Sequence, residues 1–133
     1  MATLKYSRQR ASIREYLIHT NEHPTADTVY LHVRNEFPNI SLGTVYRNLN
    51  LLADMGEALK ITTPNGGDRF DGRTDPHYHV TCTCCGNVFD LELPLEQRLK
   101  INCLANEHYD GQIDSHSITF TGTCPHCLKK NLM

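Results

Sequence analysis

Four of the six cysteines form two pairs with the spacing of metal ligands. The pairs are Cys82 with Cys85 and Cys124 with Cys127, and 38 residues separate them. Each C-x-x-C turn can direct two thiolates at one ion, and four thiolates in tetrahedral geometry select zinc and leave no open position for chemistry. The spacing therefore predicts a structural zinc site. We interpret Cys84 and Cys103 as spare thiols, because a C-x-C pair is a poorer chelate.

The second pair also permits a redox interpretation, because C-P-H-C occurs in strongly oxidising disulfide oxidoreductases. In those folds the motif opens a helix within a strand-helix-strand unit. Only residues 128–133 come after Cys127, and we expect no room for that helix and the strands beyond it. A thiol oxidoreductase, or a metalloenzyme that uses the same ligands, remains the alternative from another functional class. Such an enzyme would need an open, substrate-sized cavity.

A second group of side chains offers nitrogen and oxygen ligands. His77 and His79 are separated by one residue on an expected strand, so both imidazoles point to one face. The carboxylates of Asp71 and Asp90 lie nearby in the sequence, and His23 directly precedes an expected helix start. Such a mixed set suits Fe(II) or Mn(II) as well as zinc. Each residue also has an ordinary surface or capping explanation, so the spacing leaves this second site open.

The N-terminal part is predicted to form three short helices on tight connections. The candidate N-caps are Ser7, Thr25 and Ser41, for helices that end at about His19, Phe37 and Met55. Apolar residues recur at spacings of three and four in each segment, at Ile13, Tyr16 and Leu17, at Val29, Tyr30 and Val33, and at Val45, Leu49 and Leu52. Gly56 is expected to end the third helix. This pattern is typical of a helix-turn-helix arrangement.

After Gly56 the pattern changes to short strands. Residues 57–63 and 68–71 flank an Asn65-Gly66 turn, which predicts a hairpin, the wing of a winged helix. Residues 72–76 have the composition of a hinge. Further strands are predicted at 77–81, 87–92 and 113–121, with a helix from Pro94 to about Ala105. We therefore expect an α+β protein with a winged helix-turn-helix domain over 1–71, a hinge over 72–76 and a small α/β domain over 77–133.

The composition bounds the functional classes. The chain has 133 residues and a formal net charge of −2, which taken alone argues against a uniformly basic nucleic-acid-binding surface. The first 60 residues carry 7 Lys/Arg against 6 Asp/Glu and the remaining 73 carry 6 against 9, so the negative charge lies with the candidate metal ligands. An apolar run of membrane-spanning length does not occur in the sequence, and the polar N-terminus predicts no secretion signal.

Taken together, these segments resemble the ferric uptake regulator (Fur) family. The resemblance is carried by residues 5–10, 23–26 and 41–49, by His77-Tyr78-His79, and by both cysteine pairs. It implies a dimeric, metal-dependent DNA-binding repressor whose C-terminal domain mediates dimerisation. We therefore expect a cytoplasmic homodimer that binds double-stranded operator DNA, has no membrane partner and is not an enzyme.

Within the family, the chain is most similar to the peroxide-sensing branch. The regulatory ligands of that branch, three histidines and two aspartates, correspond to His23, Asp71, His77, His79 and Asp90. Iron-sensing members typically have glutamate at both aspartate positions, and often a further site that needs an acidic residue at the position of Tyr78 and a histidine at that of Thr123. The resemblance implies that bound Fe(II) reduces peroxide and that the oxidant so formed converts His23 or His77 to oxo-histidine. Peroxide is the only small-molecule signal expected, and Mn(II) is expected to give a peroxide-insensitive repressor. An iron-responsive repressor is the alternative.

The regulatory ion is expected to act as a clamp, because His23 belongs to the first domain and other ligands belong to the second. A clamped dimer would space two recognition helices to reach successive major grooves. In the third helix, Tyr46 and Arg47 suit base or phosphate contacts, and Ser41 and Thr44 suit phosphate. Arg10 is a candidate backbone contact, and Lys5 resembles the minor-groove lysine of the family.

Overall fold

The structure is a computed structural model that describes residues 6–63 and 67–131. The chain forms two compact units, one up to Asp75 and the other from Pro76 onward. Lys5 and the predicted Asn65-Gly66 turn lie outside the described residues. Within the described ranges, the helices all fall short of the combination of length and hydropathy that a bilayer span requires.

The first unit begins with the three predicted helices: α1 (Arg8–His19), α2 (Ala26–Val33) and α3 (Leu42–Asp54). All three predicted N-caps are confirmed, since the hydroxyls of Ser7, Thr25 and Ser41 accept from backbone amides at 3.2, 3.3 and 3.1 Å. The predicted end of α2 at Phe37 is wrong by four residues, because the chain leaves the helix after Val33 and forms turns over residues 34–36. Pro38 disfavours a helical conformation at Phe37, the residue before it.

The core of the first unit is formed by one apolar stripe from each helix. Ile13 and Leu17 of α1, Val29 and Val33 of α2, and Val45, Leu49 and Leu52 of α3 are at most 2% exposed. Strands β1 (Leu59–Ile61) and β2 (Arg69–Asp71) pair antiparallel, and Phe70 of β2 closes this core. Each such buried side chain contributes about 1.5–3 kcal/mol. Gly56 comes after α3 with φ of 75°, as predicted for a helix stop.

The second unit contains a three-stranded sheet with two helices. Its elements are β3 (Tyr78–Cys82), β4 (Val88–Leu91), α4 (Leu95–Glu107), β5 (Thr119–Gly122) and α5 (Pro125–Asn131). The strand order is β4-β3-β5, with β4 antiparallel and β5 parallel to the central strand. A parallel neighbour needs a long crossover connection, and α4 lies within it.

Two predictions for this unit are wrong. The last strand begins at Thr119 instead of Ile113, because residues before it bond to α4: the Ile113 amide donates to Asn106 Oδ1 at 2.8 Å. The C-P-H-C segment does open a short helix, α5, whose first turn is closed by a bond from the Leu128 amide to the Cys124 carbonyl at 2.8 Å. Seven residues suffice for this helix, so the expectation of no room for it was too strict.

Candidate metal centres and recognition surface

The four cysteines of the two C-x-x-C pairs converge in the second unit. Cys82 ends β3, Cys85 lies in the turn before Gly86, and Cys124 and Cys127 lie at the start of α5. Their sulfurs all lie within 4.8 Å of one another, and the Sγ atoms of Cys85 and Cys124 are 3.9 Å apart. A zinc tetrahedron with bonds of about 2.3 Å has edges of about 3.8 Å. The grouping fits a four-thiolate zinc ion without rearrangement of the backbone.

The electrostatics of this cluster favour a cation. Backbone amides of Cys85 and Cys124 point at the Cys82 sulfur, at 3.5 and 3.3 Å, and lower the pKa of that thiol to about 6. The pKa of Cys127 is raised, first by the neighbouring Cys124 thiol and then by burial. A thiol whose pKa is lowered thus lies beside one whose pKa is raised, and a divalent ion would displace the proton of the latter on binding.

The same geometry weakens the redox interpretation. A disulfide oxidoreductase presents the first cysteine of its motif as an accessible thiolate at a helix N-terminus. Here Cys124 is 5% exposed and Cys127 is 4% exposed, and both face the other cysteine pair. The arrangement is that of a closed metal site.

In the first unit, His23 and Asp71 are brought together at the junction of α2 and β2. The imidazole Nε2 lies 3.2 Å from Asp71 Oδ2, and the histidine is 6% exposed. The Phe70 amide donates to the Pro24 carbonyl at 2.9 Å, and the Arg69 guanidinium donates to the His23 carbonyl at 3.0 Å. These bonds fasten the segment before α2 to the strand that carries Asp71.

The chain just after Asp71 orients the carboxylate. The Arg73 amide donates to Asp71 Oδ1 at 2.9 Å, which leaves Oδ2 directed at His23. Between them, Gly72 passes against the backbone of α1, where an added Cβ would lie 2.6 Å from the Leu17 carbonyl carbon and oxygen. Only glycine therefore fits at this close approach.

In the second unit, His77, His79 and Asp90 form a compact group. Both imidazoles direct Nε2 at the same carboxylate oxygen, Asp90 Oδ1, at 2.7 Å from His77 and 3.3 Å from His79. His79 and Asp90 are direct cross-strand partners of β3 and β4. Two imidazoles and one carboxylate that converge on a point form a mixed nitrogen and oxygen donor set, which suits Fe(II), Mn(II) or zinc.

Four of the six residues predicted to contact DNA lie on α3 or at its N-cap. Tyr46 is 43% exposed and Arg47 is exposed next to it. The hydroxyls of Ser41 and Thr44 lie 2.9 Å apart at the N-terminus of the helix, in its first turn, where backbone amides lack partners within the helix. Arg10 is half-buried on α1. Ser41, Thr44, Tyr46 and Arg47 thus all lie at the N-terminal end of α3.

Sequence reasoning missed polar residues that are buried. Asn48 of α3 is 6% exposed, and its amide donates to the Thr44 carbonyl at 3.1 Å. Tyr78 is 3% exposed and bonds through its hydroxyl to His116, a histidine for which the sequence predicted no role. The strand alternation contained a signal for Tyr78, since the residue between two ligand histidines must face the opposite side of the sheet.

A cavity of about 780 Å³ lies between α1 and α2, lined by residues such as Ser12, Tyr16 and His32. Among the described residues that line it, none belongs to the cysteine cluster or to the histidine and aspartate groups. A metalloenzyme that uses those ligands therefore gains no support from this cavity.

A winged helix, a small sheet unit with a four-cysteine cluster, and a group of histidine and aspartate side chains in each unit are consistent with a metal-dependent DNA-binding regulator. The family model of the ferric uptake regulator family matches residues 1–121. The chain belongs to this family of metal-responsive, DNA-binding repressors, which are transcriptional regulators and not enzymes.

Individual relatives include both sensing types. The peroxide-responsive repressor PerR of Staphylococcus aureus (strain Mu50 / ATCC 700699) is 36% identical over 129 residues, which cover 97% of this chain and 86% of that protein. The Campylobacter jejuni peroxide stress regulator aligns with a TM-score of 0.77 at 30% identity, over 90% of this chain and 88% of that one. The Helicobacter pylori ferric uptake regulator, described with three functional metal-binding sites, aligns with a TM-score of 0.82 at 25% identity, over 94% and 83%.

Proposed function

We propose that the protein is a metal-dependent transcriptional repressor that senses peroxide by iron-catalysed oxidation of a ligand histidine. The observation that carries the proposal is the identity of the carboxylates: aspartate pairs with His23 in the first unit, and aspartate pairs with His77 and His79 in the second. The similarity to the Staphylococcus aureus peroxide-responsive repressor supports the same assignment.

We propose that one regulatory Fe²⁺ or Mn²⁺ ion is held by His23, Asp71, His77, His79 and Asp90. These ligands come from a DNA-binding domain over 1–71 and a dimerisation domain over 77–133, joined by a hinge over 72–76. An ion that needs ligands from both domains binds only one arrangement of them, and its binding energy shifts the population toward that arrangement. Each half is supported by its own geometry, since imidazole nitrogens already lie 2.7–3.3 Å from carboxylate oxygens without an ion.

When bound, Fe(II) supplies the one-electron chemistry that converts peroxide into a short-lived oxidant, which Mn(II) does poorly. The side chains of this chain determine where that oxidant reacts. Peroxide would supply one oxygen to a ring carbon of His23 or His77 and leave its other oxygen as water, a net two-electron oxidation of the imidazole. The oxidised ring would be a weaker ligand and would release the clamp. His23 is 6% exposed and the His77 side chain 2% exposed, so both rings are shielded from bulk solvent, whereas the Asp90 side chain, at 35% exposed, leaves a side that a small solute such as peroxide can approach.

The structural metal is proposed to be Zn²⁺ on Cys82, Cys85, Cys124 and Cys127. Its support is the sulfur geometry and the lowered pKa of Cys82. This ion would remain in place during sensing, because four thiolates leave no open position for peroxide.

The partner is proposed to be double-stranded operator DNA, which the protein meets in the cytoplasm as a homodimer. Candidate contacts are Lys5, Arg10, Ser41, Thr44, Tyr46 and Arg47. A second copy is supported by α4, which is fully described and buries none of its side chains. Leu95 and Leu99, one turn apart on the same face of α4, are 61% and 54% exposed, which leaves an apolar contact for a partner.

The test is mass spectrometry of the Fe(II)-loaded protein after exposure to peroxide, with the Mn(II)-loaded protein as the matched control. We expect a gain of one oxygen on His23 or His77 in the Fe(II) form only, together with loss of operator binding. Unmodified histidines with retained DNA binding would instead favour an iron-responsive repressor. That second candidate is favoured by the TM-score of 0.82 to the Helicobacter pylori ferric uptake regulator.

A further inference from the structure

Tyr78 lies between His77 and His79 in sequence but faces the opposite side of the sheet, because side chains alternate along β3. It is 3% exposed, and its ring meets the edge of the Phe120 ring with centroids 6.1 Å apart. Its hydroxyl hydrogen-bonds Nε2 of His116, 38 positions away in the chain. The residue between the two candidate ligands is therefore anchored at its polar end by another segment.

The hydrogen bonds of Asn102 define the direction of this contact. The Asn102 Nδ2 donates to the Asp114 carbonyl at 3.4 Å, so Oδ1 is the atom that faces His116 and accepts from its Nδ1. Nδ1 of His116 then carries the proton, and Nε2 is left to accept from the Tyr78 hydroxyl. The three side chains form a directed chain of hydrogen bonds from β3 to α4, which we call the Tyr78 network (Tyr78, His116 and Asn102).

The Tyr78 network also joins β3 to a segment that is held firmly on α4. Asn106 Oδ1 accepts from the Ile113 amide at 2.8 Å, and its Nδ2 donates to the Ile113 carbonyl at 3.0 Å. The Arg98 guanidinium of α4 lies 6.0 Å from the centroid of the Tyr78 ring. No side chain of α4 is fully buried, so α4 has little apolar packing against the rest of the unit. The polar contacts at Tyr78 are therefore specific links between this helix and β3.

We propose that His116 is a positioning residue for the regulatory metal site. It holds the Tyr78 hydroxyl and thereby fixes the position of β3 relative to β4. His77 and His79 both aim Nε2 at Asp90 Oδ1, at 2.7 and 3.3 Å. A small slide or roll of β3 against β4 would separate these atoms. The inference rests on the proposed role of His77 and His79 as ligands, and it links the exposed surface of α4 to the ligand pair.

The test uses the full-length, zinc-containing protein and titration with Mn(II) alone. Removing the hydroxyl in Tyr78→Phe, or the imidazole in His116→Ala, should weaken Mn(II) binding about tenfold, the lower end of the effect of groups that orient ligands. The variant His116→Gln should restore most of this loss, because its amide oxygen can accept from Tyr78 while its nitrogen donates to Asn102. His108→Ala is the matched control, an exposed histidine just after α4 that should bind like wild type.

A second readout needs no regulatory metal. In the zinc-only protein, His116→Ala should accelerate amide hydrogen exchange along β3 while leaving β1 and β2 of the first unit unchanged. Mn(II) affinities of Tyr78→Phe and His116→Ala within twofold of wild type, with His77→Ala unable to bind, would overturn the positioning role and leave the proposed function standing. Retained Mn(II) binding by His77→Ala would overturn both the positioning role and the proposed function. An equal loss of Mn(II) affinity in His116→Gln and His116→Ala would overturn the hydrogen-bond mechanism.

Discussion

The cysteine cluster and the histidine–aspartate groups differ in how their residues are distributed between the two units. The cysteine cluster lies within one unit, and its four sulfurs come from two C-x-x-C segments, one at the end of β3 and one at the start of α5. The proposed histidine and aspartate ligands are divided: His23 and Asp71 belong to the first unit, and His77, His79 and Asp90 belong to the second. A site confined to one unit stabilises that unit, whereas a ligand set shared by two units can control their arrangement.

The donor atoms show the same division. Four thiolates bind zinc tightly and in a closed geometry, which suits a permanent structural ion. Imidazole and carboxylate donors bind Fe(II) and Mn(II) less tightly and leave room for exchange. If the proposed assignments hold, the permanent ion and the exchangeable ion differ both in ligand chemistry and in position in the fold.

The largest effect is expected from removing the cysteine cluster. The double variant Cys82→Ser with Cys124→Ser should lose zinc and unfold the second unit, because structural zinc contributes about 10–16 kcal/mol of binding free energy. Zinc content by elemental analysis and the circular dichroism spectrum measure this. Cys103→Ser, at an exposed cysteine, is the control. Full zinc stoichiometry in the double variant would show that the four-cysteine assignment is wrong.

A smaller effect, confined to regulation, is expected at His23. His23→Ala should weaken Mn(II)-dependent operator binding by about 100-fold or more, since a direct ligand matters at least as much as its outer partners. Zinc content and the unfolding temperature should stay close to wild type. His19→Ala, at an exposed histidine of α1, is the control for fluorescence anisotropy with operator DNA. Intact operator binding by His23→Ala would break the clamp model.

The pH dependence of zinc binding should test the proposed ionisation of the cysteine cluster. The pKa of Cys82 is lowered to about 6, so its thiolate is present above that pH and is lost as pH falls through it. The raised pKa of Cys127 means that zinc must displace its proton throughout the neutral range. Zinc affinity should therefore rise with pH by about tenfold per unit for each proton released, and more steeply below pH 6. Competition with a colorimetric chelator measures it, and a flat profile from about pH 5 to 8 would contradict it.

The smallest effect is expected from Gly72. Gly72→Ala should destabilise the first unit by about 1–3 kcal/mol, because its Cβ would overlap the Leu17 backbone of α1. It should also weaken Mn(II) binding modestly through Asp71. Gly67→Ala is the matched control, since a Cβ at Gly67 meets no atom within 4 Å. Denaturant unfolding compares the two variants, and equal stabilities would show that the close approach at Gly72 is without consequence.

Sequence reasoning was most successful where the physics is local. The N-caps at Ser7, Thr25 and Ser41 were predictable because a hydroxyl caps an amide only three residues away. It failed where an element's limit depends on contacts between elements: β5 begins only at Thr119 because Asp114 and His116 bond to Asn102 of α4, 12 and 14 positions earlier. The short helix α5 was not predicted, because the residues after Cys127 were expected to be too few for a helix, whereas α5 has only seven residues.

By itself, the sequence determined the α+β class, the helix order of the first unit and the residue types of both ligand sets, since these depend mainly on short, local spacings. Only the tertiary structure decided how those residues are held. It set the tautomer of His116, the anchoring of Tyr78 and the close approach of Gly72 to Leu17. Each of these depends on a contact between residues 14 or more positions apart. Such contacts form only when separate elements pack, because no local periodicity encodes which distant side chain completes a buried hydrogen bond.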